Sequence, residues 1–396
     1  MARPIIEPPR LRIGESGERH ATWMELFFDL VFVVAVSQVA DRLLDRTTLR
    51  GMLEVLLLFA PVWWAWIGAT FYSDRFGTDD LSDRLFLLAQ MAAAAGLAIN
   101  AGEAFQNGSV GFALSYATFR YLLAARYARV GRHIAEARSF TSLLARRFGL
   151  GATLWAVSVV VPPPARFIFW GVGMVTDFVT PISTGRRLQS RLAPHPTHLP
   201  ERFGLFTMIV LGESIGAVVV GLQGVRWDWA DAMTALCGLV LAFSFWWIYF
   251  EGLDASALRR ALVAGQIGAY DLWIYSHLPL TAAVAAAGAG VQLAILADFH
   301  APLPPSIRWL MCSAAGLYFG SLAVMYFAKS AAGSRRCTRP DAFAMLAGTL
   351  ATLLVASLGA PFTPLGILVL LTAVGALQIV FNLAERSRRP RPRSDS

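Results

Sequence analysis

Three observations predict an all-α integral membrane protein of about twelve transmembrane helices, built as a tandem repeat of two six-helix halves. The first is composition: of 396 residues, 56% are hydrophobic and only 15% charged, where soluble domains carry about 25% charge. Mean hydropathy is +0.54. The second is the spacing of apolar runs, roughly 17–25 residues each, long enough to cross a hydrocarbon core of about 30 Å. The third is similarity between the two halves of the chain.

The spans are read at 22–41, 51–72, 84–104, 110–130, 145–161, 165–182, 203–222, 229–250, 270–292, 306–328, 341–360 and 363–383. The fifth is the weakest, because Pro162, Pro163 and Pro164 cut it short. The stretches 131–147 and 252–267 read equally as interfacial helices or solvated linkers. Residues 1–21 hold Arg3, Arg10, Arg12 and Arg19 without an apolar core. They form a cytoplasmic N-terminal segment, and the first span serves as the insertion signal. Residues 386–396 form a basic, disordered tail.

The formal net charge of +8 does not point to nucleic acid, because the basic residues sit in short loops on alternate sides of the spans. With the N-terminus inside, inner segments hold about 26 Lys and Arg and outer loops about 6. Both termini are therefore expected in the cytoplasm, in a bacterial plasma membrane. Cys237, Cys312 and Cys337 have neither disulfide nor zinc spacing.

The repeat rests on three matches in the same order. WWAWIGATFYSD in the second span parallels FWWIYFEGLD in the eighth. AAAAGLAI in the third parallels AAAGAGVQLAI in the ninth, and FRYLLAARYAR in the fourth parallels YFGSLAVMYFAK in the tenth. Residues 22–190 and 200–385 thus form the halves, related by an axis along the membrane normal, with any pathway near their interface.

Charges inside spans are costly and are the first place to look for function. Glu25 and Asp29 stand four apart on one face of the first span. Asp29 lies about 10 Å from the cytoplasmic edge, and Arg120 and Glu213 lie about 15 Å in, near mid-bilayer. Asp177 sits near the inner end of the sixth span. Arg120 is read as the one buried base, able to hold Asp29 and Glu213 in a triad. Glu54 and Arg126 are discounted as reaching the membrane surfaces. Such charges serve either as interhelical glue or as the lining of a path for a solute or ion. Aligning Phe28 with Phe206 places Thr207 opposite Asp29, so the two halves differ at this position. Gly212 and Gly216 offer a close helix approach around Glu213. His277 reads as a packing histidine rather than a relay. Among Asp74, Asp79, Asp80 and Asp83, one caps the third span and the rest are solvated. The tryptophans 63, 64, 66, 246 and 247 read as packing residues. No P-loop, GxSxG, HExxH or dinucleotide-binding motif is present, which argues against an ATP-driven pump or a known hydrolase. No enzyme activity, metal or cofactor is expected, and a third reading, a membrane-embedded enzyme acting on lipid or isoprenoid substrates, has no motif behind it. The partners are the lipid bilayer and a cation, proton or small solute, and nothing in the pattern specifies an oligomeric state.

WMELFFDLVFVVAVSQVADRL and ERFGLFTMIVLGESIGAVVVGL (201–222) resemble the two motifs of the bacterial low temperature requirement A (LtrA) family. The first runs from Glu25 to Phe32 through Phe27, Phe28 and Asp29. The second holds Glu201, Arg202, Phe203, Gly204, Gly212 and Ser214. The resemblance implies a polytopic membrane protein linked to growth in the cold. A remoter likeness is to potassium channels with an F-S-D motif in the first helix of each repeat. Here Phe28 and Asp29 lack the serine, and Thr207 replaces the second acid. The resulting expectation is a transport protein whose path runs near the first and seventh spans. The alternative is a structural or lipid-interacting protein supporting growth at low temperature.

Overall fold

The computed structural model describes residues 7–12, 19–183, 194–195, 197–223, 228–252, 267–333 and 338–388. Among them every regular element is helical. In chain order these are α1 (Trp23–Ala40), α2 (Arg42–Asp45), α3 (Leu49–Phe76), α4 (Leu81–Ala101), α5 (Ser109–His133), α6 (Arg138–Ser158) and α7 (Ala165–Ser183). They are followed by α8 (His198–Gln223), α9 (Trp229–Glu251), α10 (Ile267–Tyr275), α11 (His277–Ile295), α12 (Pro305–Ala331), α13 (Arg339–Leu358) and α14 (Pro364–Arg388).

Among the described residues, nine helical stretches are long and apolar enough to cross a membrane. These are α1 with α2, α3, α4, α8, α9, α10 with α11, α12, α13 and α14. The expected spans 110–130, 145–161 and 165–182 are helical too, as α5, α6 and α7, but fall outside that set. Their charged residues account for this: Arg120, Arg126, Arg129 and Arg132 in α5, Arg138, Arg146 and Arg147 in α6, Arg166 and Asp177 in α7. No interfacial helix precedes α6; a single 3₁₀ turn (Ala135–Ala137) leads into it. Most of 252–267 and of the tail, as well as Cys337, lies outside the described residues, while Cys237 and Cys312 are free thiols.

Helix starts follow from local chemistry. Thr22 and Glu25 close a capping box on α1, Asp228 and Asp231 on α9, and Thr338 and Asp341 on α13. Asp80 caps α4, accepting from the backbone of Ser82 and Asp83. Burial opposes its charge, but the Thr78 and Ser82 hydroxyls and the Glu7 and Asp83 amides outweigh that and hold its carboxyl well below the usual range.

The outward face of α1 shows the inversion expected of a lipid-solvated helix. Trp23, Phe27, Leu30 and Val34, at successive turns, are 87%, 53%, 51% and 56% exposed. Glu25, Phe28, Asp29 and Phe32 are buried on the other side. Apolar residues face out and charges face in.

The chain divides into two compact units, Met1–Arg42 with Glu54–Phe206, and Leu43–Leu53 with Thr207–Ser396. In the first, α1 packs on α4, α4 on α5, α5 on α6 and α6 on α7. Trp63, Trp66 and Trp155 fill its interior, and Trp155 stacks on Trp170 with centroids 4.7 Å apart. In the second, α12 packs against α11 and α13, and α14 against α9 and α13. Since lipid is as apolar as these side chains, close packing and internal hydrogen bonds supply the association energy. Gly212 and Gly216 do not contribute a close approach, since a Cβ at either would meet nothing within 4 Å. The tight contact is at Ser214, between them: a Cβ on Gly288 would come within 2.6 Å of it. Trp246 is more exposed than Trp63, Trp64 and Trp66, and its ring packs on Phe243, Trp247 and Phe250 of its own helix α9.

Candidate functional site

Six ionisable side chains of the first unit meet in two tiers. Both tiers draw on the same three helices. The deep tier joins Asp29 of α1, Arg202 of α8 and Trp66 of α3. Arg202 donates Nη2 and Nε to the two Asp29 oxygens at 2.5 and 3.3 Å. Trp66 donates its indole N–H to Asp29 Oδ1 at 2.7 Å. The Trp66 ring lies flat on Phe206, with centroids 4.1 Å apart, and Phe203 meets it edge-on. Asp29 is fully buried and Arg202 nearly so.

Arg202 links this tier to the next. Its Nη1 lies 3.2 Å from Glu25 Oε1. The other Glu25 oxygen accepts from the backbone and hydroxyl of Thr22, at 2.8 and 3.1 Å. It also faces Nε2 of His198 at 3.3 Å. Nδ1 of His198 faces Asp74 Oδ1 at 2.8 Å, and the second Asp74 oxygen accepts from the His195 amide. Arg19 donates to the carbonyls of Asp74 and Ser73 and stands 3.6 Å from Glu25. The shallow tier is therefore Glu25, His198 and Asp74, with Arg19 beside it.

The geometry follows from helix periodicity. Glu25 and Asp29 are spaced i,i+4 on α1, and His198 and Arg202 are spaced i,i+4 on α8. Each pair projects from one face, one turn apart. Trp66 and Asp74, eight residues apart on α3, occupy one face as well. Two carboxylates thus meet two bases in register. That complementary spacing was the available signal for the partners the sequence reading missed.

Arg120 takes a different partner. Its Nη2 donates to Asp177 Oδ1 at 2.6 Å, and the Tyr116 hydroxyl donates to Oδ2 at 2.7 Å. The guanidinium lies over Phe148, 4.1 Å from the ring centroid. Both charges are fully buried, and Gly151 gives Asp177 its room: a Cβ there would reach Oδ1 at 3.0 Å. The expected triad of Arg120 with Asp29 and Glu213 is replaced by two separate pairs, Arg120 with Asp177 and Asp29 with Arg202. Glu213 belongs to the second unit, where it is half-buried.

Arg120 is also not the one buried base. Arg42, Arg126, Arg166, Arg202, Arg308 and Lys329 are buried too. Arg126 and Glu54, expected at the membrane surfaces, are inside: Arg126 pairs with Asp83 and receives Gln90 as acceptor, and Arg42 pairs with Glu54 at 3.0 Å. Protein partners remove the need to snorkel. Asp74 and Asp83 are likewise paired rather than solvated, while Asp79 is exposed and holds Arg84. His277 is the packing histidine expected, set between the Tyr249 hydroxyl at 2.9 Å and the Trp273 carbonyl at 2.8 Å.

The remaining motif residues frame the site. Phe28 and Phe32 are buried and pack with Phe119, whereas Phe27 faces outward. Glu201 takes the backbone of Ala21 and lies 3.5 Å from His20. Phe203 and Gly204 are buried around Arg202. Ser214 bonds its own helix and lines a small apolar cavity with Val218, Phe245 and Val284. Among the described residues no group of His, Cys, Asp or Glu is arranged to hold a metal ion.

The chain matches the family described as bacterial low temperature requirement A protein (LtrA) across residues 20–380. It is 30% identical over 290 residues to an uncharacterized protein of Rhizobium meliloti (strain 1021), a similarity covering 69% of each chain. No solved structure matches.

Proposed function

The chain belongs to the bacterial low temperature requirement A family, and from that premise we propose that it is a carrier or channel rather than an enzyme. It would move a cation, proton or small solute along a path near the first and seventh spans, α1 and α8. The observation that carries this reading is the two-tier network of ionisable groups buried within candidate membrane helices. Buried ionisable groups in such helices are a mark of ion and proton pathways. The proposal includes twelve spans in the plasma membrane, both termini cytoplasmic, and two six-helix repeats.

One correspondence supports the repeat. In the match of WWAW with WWIY, Trp66 aligns with Tyr249, as Asp29 aligns with Thr207. Trp66 hydrogen-bonds Asp29, and Tyr249 hydrogen-bonds Thr207. The same two helix positions touch in each half, with a charged acceptor in one and a neutral hydroxyl in the other.

Within this reading Arg120 and Asp177 are a packing pair, and Glu25, Asp29, Arg202, His198 and Asp74 are the working groups, with Glu213 further along α8. Purified protein in liposomes should pass cations or protons. Asp29→Asn and Glu213→Gln should abolish this while the protein remains folded by circular dichroism, and normal flux in both would defeat the proposal. The second reading, a structural or lipid-interacting protein of the cold response, draws on the close pairing of Asp29 with Arg202 and of Arg120 with Asp177. It requires that Asp29→Asn lower the melting temperature and that wild-type liposomes pass nothing.

A further inference from the structure

The shallow tier carries a proton count that the deep tier does not. Both ring nitrogens of His198 face carboxylate oxygens, Nδ1 toward Asp74 and Nε2 toward Glu25. A neutral imidazole has one N–H and can donate to only one of them. The other contact would set a nitrogen lone pair against a carboxylate oxygen, with His198 fully buried. Two donated hydrogen bonds require the doubly protonated ring.

Charge balance leads to the same count. The groups around His198 are Glu25 and Asp29 from α1, Asp74 from α3, Arg202 and His195 on its own segment, and Arg19 ahead of α1. Three carboxylates against two guanidinium groups leave one negative charge in a buried site. An uncompensated buried charge is expensive, and one proton on His198 cancels it. Arginine keeps its protons, so Arg19 and Arg202 are fixed charges and the exchangeable proton is shared among the imidazole and the carboxylates it faces.

We propose that Glu25, His198 and Asp74 form a one-proton site, in which the imidazole holds an exchangeable proton between the two carboxylates. In exchange, an N–H bond of the imidazolium breaks as an O–H bond forms on Glu25 or Asp74. The ring becomes neutral and the acid becomes neutral with it. Asp74 accepts from the His195 amide on one side of the ring, and on the other Glu25 shares Arg202 with Asp29. The inference rests on the transport reading only in naming the proton as the species handled there. The site itself stands apart from whether anything crosses the membrane.

The test is nitrogen-15 NMR of ring-labelled histidine in the full-length protein at neutral pH. The His198 signal is assigned by its loss in His198→Gln or, if that variant does not fold, by elimination from the signals lost on replacing each of the other five histidines with Gln. The expected result is the doubly protonated pattern in wild type, lost to a single N–H pattern in Asp74→Asn or Glu25→Gln. A singly protonated ring in wild type, or an imidazolium unchanged in both variants, would overturn the proposal. Proton flux into liposomes, read in parallel, separates the two claims. An imidazolium without any flux leaves the proton site standing and removes the transport reading. Flux with a singly protonated ring does the reverse.

Discussion

The two units handle buried cations differently. In the second, Arg308 donates to the Ala356 carbonyl in the last turn of α13, and Lys329 donates to the Gly252 carbonyl that ends α9. Both close the exposed carbonyl end of a helix, where positive charge is favoured. The first unit has such residues as well: Arg42 holds the carbonyls of Ala101 and Gly102 at the end of α4, and Arg166 those of Ser158, Val159 and Val161 at and beyond the end of α6. What distinguishes the first unit, among the described residues, is that cations meeting carboxylates from other helices are fully buried, whereas Arg386 and Glu251 of the second unit pair at an exposed position. A capping arginine ends a helix. An arginine between two acids sets the charge state of a site.

The largest expected effect follows from that distinction. Arg202→Met strands Asp29 and Glu25 together and should cost about 3–5 kcal/mol, enough to lower the yield of folded protein in detergent. Arg308→Met removes a hydrogen bond from a charged donor and should cost about 1.5–3 kcal/mol. Equal losses of melting temperature would erase the contrast between the units.

Next, Arg120→Met alone should cost about 3–5 kcal/mol by stranding Asp177, whereas the double variant Arg120→Met, Asp177→Leu should recover most of it. Thermal unfolding of the three proteins checks this. A double variant as unstable as the single one would mean that the pair is held for more than packing.

A smaller difference is expected at the repeat-related aromatics. Trp66→Phe removes a hydrogen bond to an ionised acceptor, about 1.5–3 kcal/mol, and Tyr249→Phe removes neutral ones at about 0.5–1.5 kcal/mol each. The smallest effect concerns the α4 cap. Asp80→Ala should cost about 1 kcal/mol. Because its folded-state carboxyl titrates below the unfolded one, Asp80 stabilises fully above about pH 4, and that contribution fades as the medium is acidified further. The melting temperatures of wild type and Asp80→Ala should therefore converge in acid.

Much of this architecture was legible in the sequence. Apolar length located the helices, and the positions of Glu25, Asp29, Asp177 and Arg120 inside them followed from counting turns. The pairing did not follow, for a physical reason. Drawing the seventh span from residue 203 left His198 and Arg202 in water, whereas α8 begins at His198 and buries its first turns in protein. Arg126 and Glu54, inside spans but near their ends, were discounted as reaching the surfaces, and Asp74 was left in a loop, although all three are buried. Hydropathy reports what lipid will accept and is silent on charges that other helices cover. The i,i+4 spacing of Glu25 with Asp29 and of His198 with Arg202 was the signal that would have corrected it.

The proposed transport role divides the buried charges of the first unit into a working pair, Asp29 with Arg202, and a packing pair, Arg120 with Asp177. Flux into liposomes, compared at matched folded fraction, tests that division directly. Asp29→Asn should fall to the level of protein-free vesicles, while the Arg120→Met, Asp177→Leu double variant keeps the wild-type rate. Wild-type flux in Asp29→Asn, or its loss in the double variant, would contradict it.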